Sequence, residues 1–405
     1  MGKFIIRGGA PLYGKVRVSG SKNAALAIIF ASLITNGISE IRNLPDIGDV
    51  RAALDIISCY GAVVSRKDDV TYIDTREIRY TRAPEDLTSR LRASAYLLGS
   101  TLIRFGRADK LSLGGCNFSD RPIDMHIAAM LSHGAVETED GVVAKRLYPS
   151  DFTLRLPSVG ATVNSLIIAS GIAEKSVIRG VALEPHILTL IEFLRSAGAK
   201  IALDGNILTV AGGGLHGGSV TIGADMIEAG TYLSLGVLCG GKVVVERADK
   251  NELSPFIDLL LASGVRIEDE GGLCAIGRPL RSVFAVADPY PAFPTDLQPI
   301  IAPLLSFAGG RIRDNVWPAR FGYLERLGAF GIRSRVVGGT AEIFPSEPIC
   351  ACASAPDLRG GMALVMSALA ADGVSTVDNA EIVMRGYESL VDKLAHLGAE
   401  IEYLG

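Results

Sequence analysis

Six stretches of small and aliphatic residues recur along the chain, beginning SKNAALAII at Ser21, RASAYLLGS at Arg92, GATVNSLII at Gly160, EAGTYLSLG at Glu228, TDLQPIIAP at Thr295 and DLRGGMALV at Asp357. Each predicts a helix. Runs such as AALAIIFASLI and SLIIASGIA have no polar face, which predicts core helices with the sheets outside them. Each run ends near a glycine (Gly37, Gly106, Gly171, Gly241, Gly310 and Gly373), the residue type that caps helices at their C-terminus. Short strands are predicted to follow, in SEIRNLP, KLSLGG, SVIRGVA, KVVVERA, RIRDNVW and STVDNAE.

A second helix pattern, amphipathic, closes on Leu-x-x-x-Gly-small at Gly61, Gly134, Gly198, Gly264, Gly328 and Gly398. The spacings are 73, 64, 66, 64 and 70 residues, close to the sixth of a 405-residue chain, about 67. The repeating unit therefore reads as buried helix, strand, amphipathic helix and β-hairpin. This predicts an α/β fold that inverts the usual barrel. Six units could close as one ring or divide into two groups of three, and the length favours division because single cores seldom exceed about 300 residues. A solenoid with a concave binding face is disfavoured, since the polar residues gather at one recurrent place in each unit.

That place is the start of each buried helix and the loop after each strand. Lys22 with Asn23, Arg92, Asn164, Glu228, Asp296, and Asp357 with Arg359 fall at the former, and Cys116, Arg121, Arg320 and Arg385 at the latter. Superposable units would bring them together in one cleft between two halves. Helix N-termini and arginines both favour anions, so the expected ligands are anionic. In the loop Gly114–Pro122, two glycines permit movement and a cation near Cys116 would lower its thiol pKa. In PAFPTD two prolines precede Asp296, which by itself reads as a plain helix-capping aspartate.

Composition narrows the function. Hydrophobic residues are 48% of the chain and its mean hydropathy is +0.33, yet the longest apolar stretch, residues 24–34 with one serine, is 11 residues. A bilayer span needs about 20. Net charge is −4 with pI near 5.8 and no basic run, so neither nucleic acid nor a membrane surface is expected as partner. Neither a signal peptide nor a myristoylation motif is read at MGKFIIRGG, and the expected location is cytoplasmic. Six cysteines without CxxC pairs and five histidines without HExxH predict no metal site and no disulfide framework.

The stretches GSKNAAL (20–26), LRASAYLLG (91–99), GGCNFSDRPIDMH (114–126), PSVGATVN (157–164), IEAGT (227–231), PAFPTD (291–296), DLRGG (357–361) and RGYE (385–388) closely resemble the enolpyruvyl transferases, in order and across the whole chain. Within them the Gly-Gly-Cys loop is less like the shikimate-pathway branch than the one acting on an amino-sugar nucleotide. The resemblance implies an inside-out α/β barrel of two domains of three repeats each. Residues 22–222, with the Cys116 lid loop, would form the first, residues 1–21 plus 223–405 the second, and the active site would lie in the cleft between them. The implied reaction moves the enolpyruvyl group of phosphoenolpyruvate to the 3′-hydroxyl of UDP-N-acetylglucosamine, releasing phosphate, as the first committed step of peptidoglycan synthesis. It needs no cofactor, and a monomer or weak oligomer is expected.

Residue by residue, the resemblance places Lys22, Arg121 and Arg385 around the phosphate of phosphoenolpyruvate, and Arg320 and Arg359 around its carboxylate. Asn23 stands beside Lys22 and also matches a sugar contact. Cys116 matches the proton donor to the methylene carbon, and Asp296 the base near the sugar hydroxyl. Arg92, the segment Arg121, Pro122, Ile123, Asp124 and Met125, and Ser158, Val159 and Gly160 match the nucleotide-sugar side. Some positions depart from the family pattern. Pro318 and Ala319 stand where Glu-Asn usually precedes the Arg320 position, Ile382 and Met384 where His and Asp are common, Met226 where Arg is common, and Leu156 where some members have Lys. Two alternatives follow: transfer to another uridine nucleotide in natural-product synthesis, or a non-catalytic nucleotide-binding role.

Overall fold

The computed structural model of the protein describes residues 2–114 and 122–405. Cys116 and Arg121 lie outside the described residues. Six helices are buried around nearly their whole circumference: α1 Lys22–Ala31, α2 Leu97–Phe105, α3 Val159–Ser170, α4 Met226–Cys239, α5 Gln298–Leu305 and α6 Leu358–Ala370. In α4 every residue from Ile227 to Leu238 is buried. Hydroxyls inside these helices fold back on their own backbone, as in Thr231 to the Ile227 carbonyl (2.8 Å), Ser234 to Gly230 (2.7 Å) and Ser367 to Ala363 (2.8 Å). These three hydroxyls are thereby carried into an apolar core with their hydrogen bonds met. Four of the six helices start on side-chain caps: Ser21, Ser158, Asp225 and Asp357 accept from N–H groups of the first turn.

The chain forms two compact units, residues 2–19 with 224–405, and residues 20–114 with 122–223. The first contains α4, α5 and α6 with three four-stranded sheets. In one, Leu12–Arg17 runs parallel to Gly241–Glu246, which continues antiparallel into the hairpin Leu273–Ile276 and Arg266–Asp269. The sheet of Val283–Ala287, Gly310–Asp314, Thr340–Ile343 and Ser334–Val337 has the same order. In the third, Cys352–Ser354 and Gly373–Asp378 are followed by the N-terminal strand Lys3–Gly8, which joins them to Glu400–Leu404.

The second unit contains α1, α2 and α3. Two of its sheets repeat the same order: Ser219–Thr221, Ile38–Arg42, Val70–Asp74, Val63–Lys67; and Asp151–Thr153, Ser176–Arg179, Ile207–Ala211, Lys200–Asp204. Its third sheet has three strands among the described residues, Arg107–Asp109, Gly141–Val143 and Val136–Thr138. Here the structure corrects the sequence reading: residues 110–114 of KLSLGG are irregular, and the strand lies just before them. Its partner Gly141–Val143 is three residues long, so the ladder ends at Asp109 whatever the β-propensity beyond it.

Two further expectations are corrected. Of the six candidate capping glycines, Gly106 is a left-handed C-cap (φ 72°), whereas α4 ends on Gly240 (φ 68°) and α6 on Ala371. In the fifth repeat, Gly328 is helical, and the left-handed residue is Gly331 (φ 80°), matching Gly61, Gly134, Gly198, Gly264 and Gly398 at φ 90–110°. Moving the landmark to Gly331 makes the spacing 67 residues on both sides of it. Gly331→Ala would place a Cβ 2.9 Å from the Glu347 carbonyl at a positive φ, whereas one on Gly328 meets nothing within 4 Å. Chemical denaturation is therefore expected to show Gly331→Ala destabilised by about 1–2 kcal/mol and Gly328→Ala unchanged or slightly stabilised.

Asn164 is also not at a helix mouth. It lies within α3, fully buried, accepting from the Gly99 N–H (2.8 Å) and donating to the Ala95 carbonyl (3.0 Å) and His126 Nδ1 (2.6 Å). A Cβ on Gly99 would lie 2.5 Å from the Asn164 oxygen, so glycine is what lets α2 approach α3 this closely. Because Asn164 Nδ2 donates to it, His126 Nδ1 is an acceptor and the ring is the neutral Nε2–H tautomer. Burial, with the Arg92 charge adding to it, pulls the His126 pKa down to about 4. The unfolded chain thus takes up a proton near pH 6.5 that the folded chain refuses until about pH 4, and stability falls as pH drops through that window. The loss is on the order of 3 kcal/mol. A His126→Gln variant, which keeps an acceptor for Asn164, is expected to lose this part of the pH slope in denaturation midpoints between pH 7 and 4.5.

Candidate active site

Asp296 lies in the short 3-10 turn Thr295–Leu297 that leads into α5, behind Pro294. Two buried arginines hold its carboxylate. Arg320 Nη1 donates to Oδ1 at 2.7 Å, and Arg359 donates to Oδ2 from Nη2 at 3.3 Å and from Nε at 3.4 Å. The side chain of Asp296 is 32% exposed, against 5% for Arg320 and 3% for Arg359. The carboxylate therefore faces outward and the cations sit behind it. Arg359 also lies over the Tyr387 ring, 5.5 Å from its centroid, and Tyr387 shares a hydrogen bond of 3.0 Å with Thr231. Burial opposes charge on Arg359, but the nearby Tyr387, Asp296 and Asp225 outweigh it and its pKa lies above the ordinary arginine value.

Arg320 is oriented without the Glu-Asn pair that the family pattern places before it. Pro318 and Ala319 are exposed, while Arg320 Nη1 also donates to Thr295 Oγ1 (3.1 Å). Thr295 in turn donates to Asp314 Oδ2 at 2.6 Å, and Asp314 Oδ1 accepts from the Val316 and Trp317 N–H groups. Burial raises the Asp314 pKa, opposed by these bonds and by Arg320. Met226, Ile382 and Met384 pack against the apolar core of this unit. Arg385 is half-buried at the C-cap of the helix Ala380–Met384.

In the other unit Lys22 opens α1 and its ammonium pairs with Asp49 Oδ2 at 3.2 Å. Asn23 follows it, half-buried. Ser158 caps α3, accepting from Ala161 N at 3.3 Å, with Val159 and Gly160 in the exposed-edge first turn. Arg92 begins the 3-10 turn Arg92–Tyr96 and projects charge onto His126. Pro122 and Asp124 are exposed and Ile123 and Met125 half-buried, at the start of the helix Asp124–Ser132, where Asp124 pairs with Arg155 at 2.8 Å.

Within one unit the structure thus unites Asp296, Arg320 and Arg359. In the other, the N-terminal turns of α1 and α3 present Lys22, Asn23 and Ser158 to Gly160. Sequence reasoning missed Thr295, Asp314 and Asp49. The Asp in RIRDNVW alternates with buried Ile312 along its strand, and a carboxylate on the buried side of a strand was the available signal. Asp49 opens an amphipathic helix and looks like any first-turn acid.

The model of the EPSP synthase (3-phosphoshikimate 1-carboxyvinyltransferase) family matches residues 6–394. A UDP-N-acetylglucosamine 1-carboxyvinyltransferase of Halothermothrix orenii is 38% identical, over 99% of each chain. The enolpyruvyl transferase NikO of Streptomyces tendae matches in three dimensions with TM-score 0.90 at 28% identity, over 99% of this chain and 98% of that one. EPSP synthase of Acinetobacter baumannii shares the fold, with TM-score 0.72 at 19% identity over the full length of both. With its sequence matched nearly end to end, the chain belongs to the EPSP synthase family of enolpyruvyl transferases.

Proposed function

We propose that the chain transfers the enolpyruvyl group of phosphoenolpyruvate to the 3′-hydroxyl of UDP-N-acetylglucosamine, releasing phosphate. Full-length similarity to the Halothermothrix orenii enzyme carries this reading. The paired arginines on Asp296 support it chemically. A substrate carboxylate entering Arg320 and Arg359 competes for the donors that hold Asp296, so binding of one substrate frees the base that the other requires. The sugar hydroxyl then loses its proton to Asp296 while its oxygen bonds to C2 of phosphoenolpyruvate and C3 takes a proton from Cys116. Loss of the C3 proton and cleavage of the C2–O bond to phosphate complete the exchange.

On this reading the six helix, strand, helix and hairpin units form an inside-out barrel in two domains, near residues 22–222 and 1–21 plus 223–405. Lys22, Asn23, Arg121 and Arg385 take the phosphate side. Arg92, residues 121–125 and Ser158, Val159 and Gly160 take the nucleotide sugar. Work in the cytoplasm at the entry to peptidoglycan synthesis is the matching context. Among the described residues no helix is long and apolar enough to cross a membrane.

A second reading, transfer to a different uridine nucleotide, is favoured by Pro318, Ala319, Ile382 and Met384 standing where the family pattern has polar residues, and the match to NikO is to an enolpyruvyl transferase. The two readings part in one assay: phosphate release from phosphoenolpyruvate with UDP-N-acetylglucosamine, with UMP and with no acceptor. Release with the amino-sugar nucleotide is expected. Release with UMP alone would move the assignment to the second reading, and no release with any acceptor would leave a binding role. In the active protein, Asp296→Asn leaves one acceptor oxygen for the arginines and removes the base, and is expected to lower kcat by about 10²–10⁴ with unchanged nucleotide affinity by calorimetry. Near-normal turnover would remove Asp296 from the role of base.

A further inference from the structure

The unit formed by residues 2–19 and 224–405 contains a second buried ionic cluster that the mechanism above does not use. Lys393, on the helix Leu390–His396, donates to Glu228 Oε1 and to Ser19 Oγ, both at 2.6 Å. Ser19 Oγ donates onward to Glu388 Oε2 at 2.6 Å, and Ser19 N donates to Glu228 Oε2 at 3.1 Å. The Ser19 carbonyl accepts from Asp225 N at 2.9 Å. Every hydrogen-bonding group of Ser19 is thus engaged, by residues from two distant parts of the chain, 225–228 and 388–393. The Glu228 side chain is 2% exposed and that of Lys393 18%. Burial drives the Glu228 pKa up and Lys393 pulls it part of the way back, to about 7, so the lysine offsets part of the desolvation of the carboxylate.

An apolar pair of similar volume at positions 228 and 393 would often be at least as stable as a buried ion pair, so stability alone is a weak reason for this one. What the cluster holds gives a stronger reason. Ser19 is the last residue of this unit before the chain enters the other, and Lys22 follows three residues later. Just beyond it, Ser21 N donates to the Gly223 carbonyl at 2.8 Å, and the Ser21 hydroxyl caps the helix that Lys22 opens. Glu388 lies three residues after Arg385, on the turn whose Tyr387 supports Arg359.

We propose that Lys393 is a positioning residue for phosphoenolpyruvate: through Ser19, Glu228 and Glu388 it fixes the chain beside Lys22 and beside Arg385, the two cations assigned to the phosphate. This rests on the enolpyruvyl-transfer reading for those cations. Lys393 touches neither substrate. Its effect is to pin the segment that leads into Lys22 and the turn that carries Arg385 through one serine, and a shift of about 1 Å in a substrate-positioning segment is costly to binding and turnover.

The test compares wild type with Lys393→Arg, with Lys393→Met/Glu228→Gln, which removes both charges together and leaves none buried alone, and with Ser19→Ala, which removes only the hydroxyl link. Phosphoenolpyruvate affinity is read as its KM in phosphate release with the nucleotide sugar saturating, and nucleotide-sugar binding is read by titration calorimetry without phosphoenolpyruvate. Thermal melts confirm folding. The double variant is expected to bind phosphoenolpyruvate at least tenfold more weakly, Ser19→Ala several-fold more weakly, and Lys393→Arg near wild type, all with nucleotide affinity within twofold. If the double variant fails to fold, Ser19→Ala decides. Unchanged phosphoenolpyruvate affinity in folded variants overturns the proposal, as does an equal loss for both ligands, which would mark a structural role. Wild type that releases no phosphate from phosphoenolpyruvate overturns the enolpyruvyl-transfer reading itself, and the proposal with it.

Discussion

A helix buried on every face has only its ends to offer a ligand, and that constraint governs this molecule. Along α1 and α3 to α6 most side chains are small or aliphatic, and the hydroxyls of Thr231, Ser234 and Ser367 are turned back on the preceding turn. Chemistry is therefore displaced to the first turns and the loops before them. Lys22 and Asn23, Ser158 to Gly160, Asp296, and Asp357 with Arg359 all occupy such positions. The first-turn N–H groups that caps do not satisfy, and the positive end of each helix dipole, give these places an inherent preference for anions. A phosphorylated three-carbon acid and a nucleotide diphosphate suit a fold whose polar sites are helix starts.

The same constraint explains what was legible in the sequence. A helix with no polar face has an unmistakable pattern, and the six stretches were readable because burial on all sides admits so few residue types. The left-handed glycines after the amphipathic helices were readable for a similar reason, since a positive φ admits little else. The fifth repeat misled because ERLGAFGI contains two glycines three apart, and only the backbone distinguishes helical Gly328 from left-handed Gly331. Strand ends were least legible: KLSLGG has strand-like residues, but pairing is decided by a partner some thirty positions away.

Side-chain partnerships were legible only where a motif carried them. Asp296, Arg320 and Arg359 stood out as charges in otherwise apolar or proline-fixed surroundings. Asn164 stood out too, for the wrong reason: a polar residue in an apolar run marked a ligand position, while its amide in fact stitches α2 and α3 to His126. Lys393 gave no signal at all. A lysine on a short amphipathic helix reads as a solvated face, and only the fold brings it against Glu228 and Ser19.

The balance of charge around Asp296 links this architecture to ligand order. Two buried guanidiniums share the Asp296 carboxylate, with Asp225 also near Arg359 and Asp314 near Arg320, and Arg359 Nη1 makes no hydrogen bond of ordinary geometry. The raised pKa of Arg359 keeps it charged. On the proposed reading the pair draws in the substrate carboxylate, and Asp296, the more exposed partner, is the group that gives way. The arginines would then be satisfied from the open side and Asp296 left with fewer cationic contacts, hence a stronger base than it is when paired. The departure at Pro318 and Ala319 leaves this exchange intact, because Thr295 and Asp314, rather than the residues just before Arg320, keep the guanidinium aimed at the carboxylate.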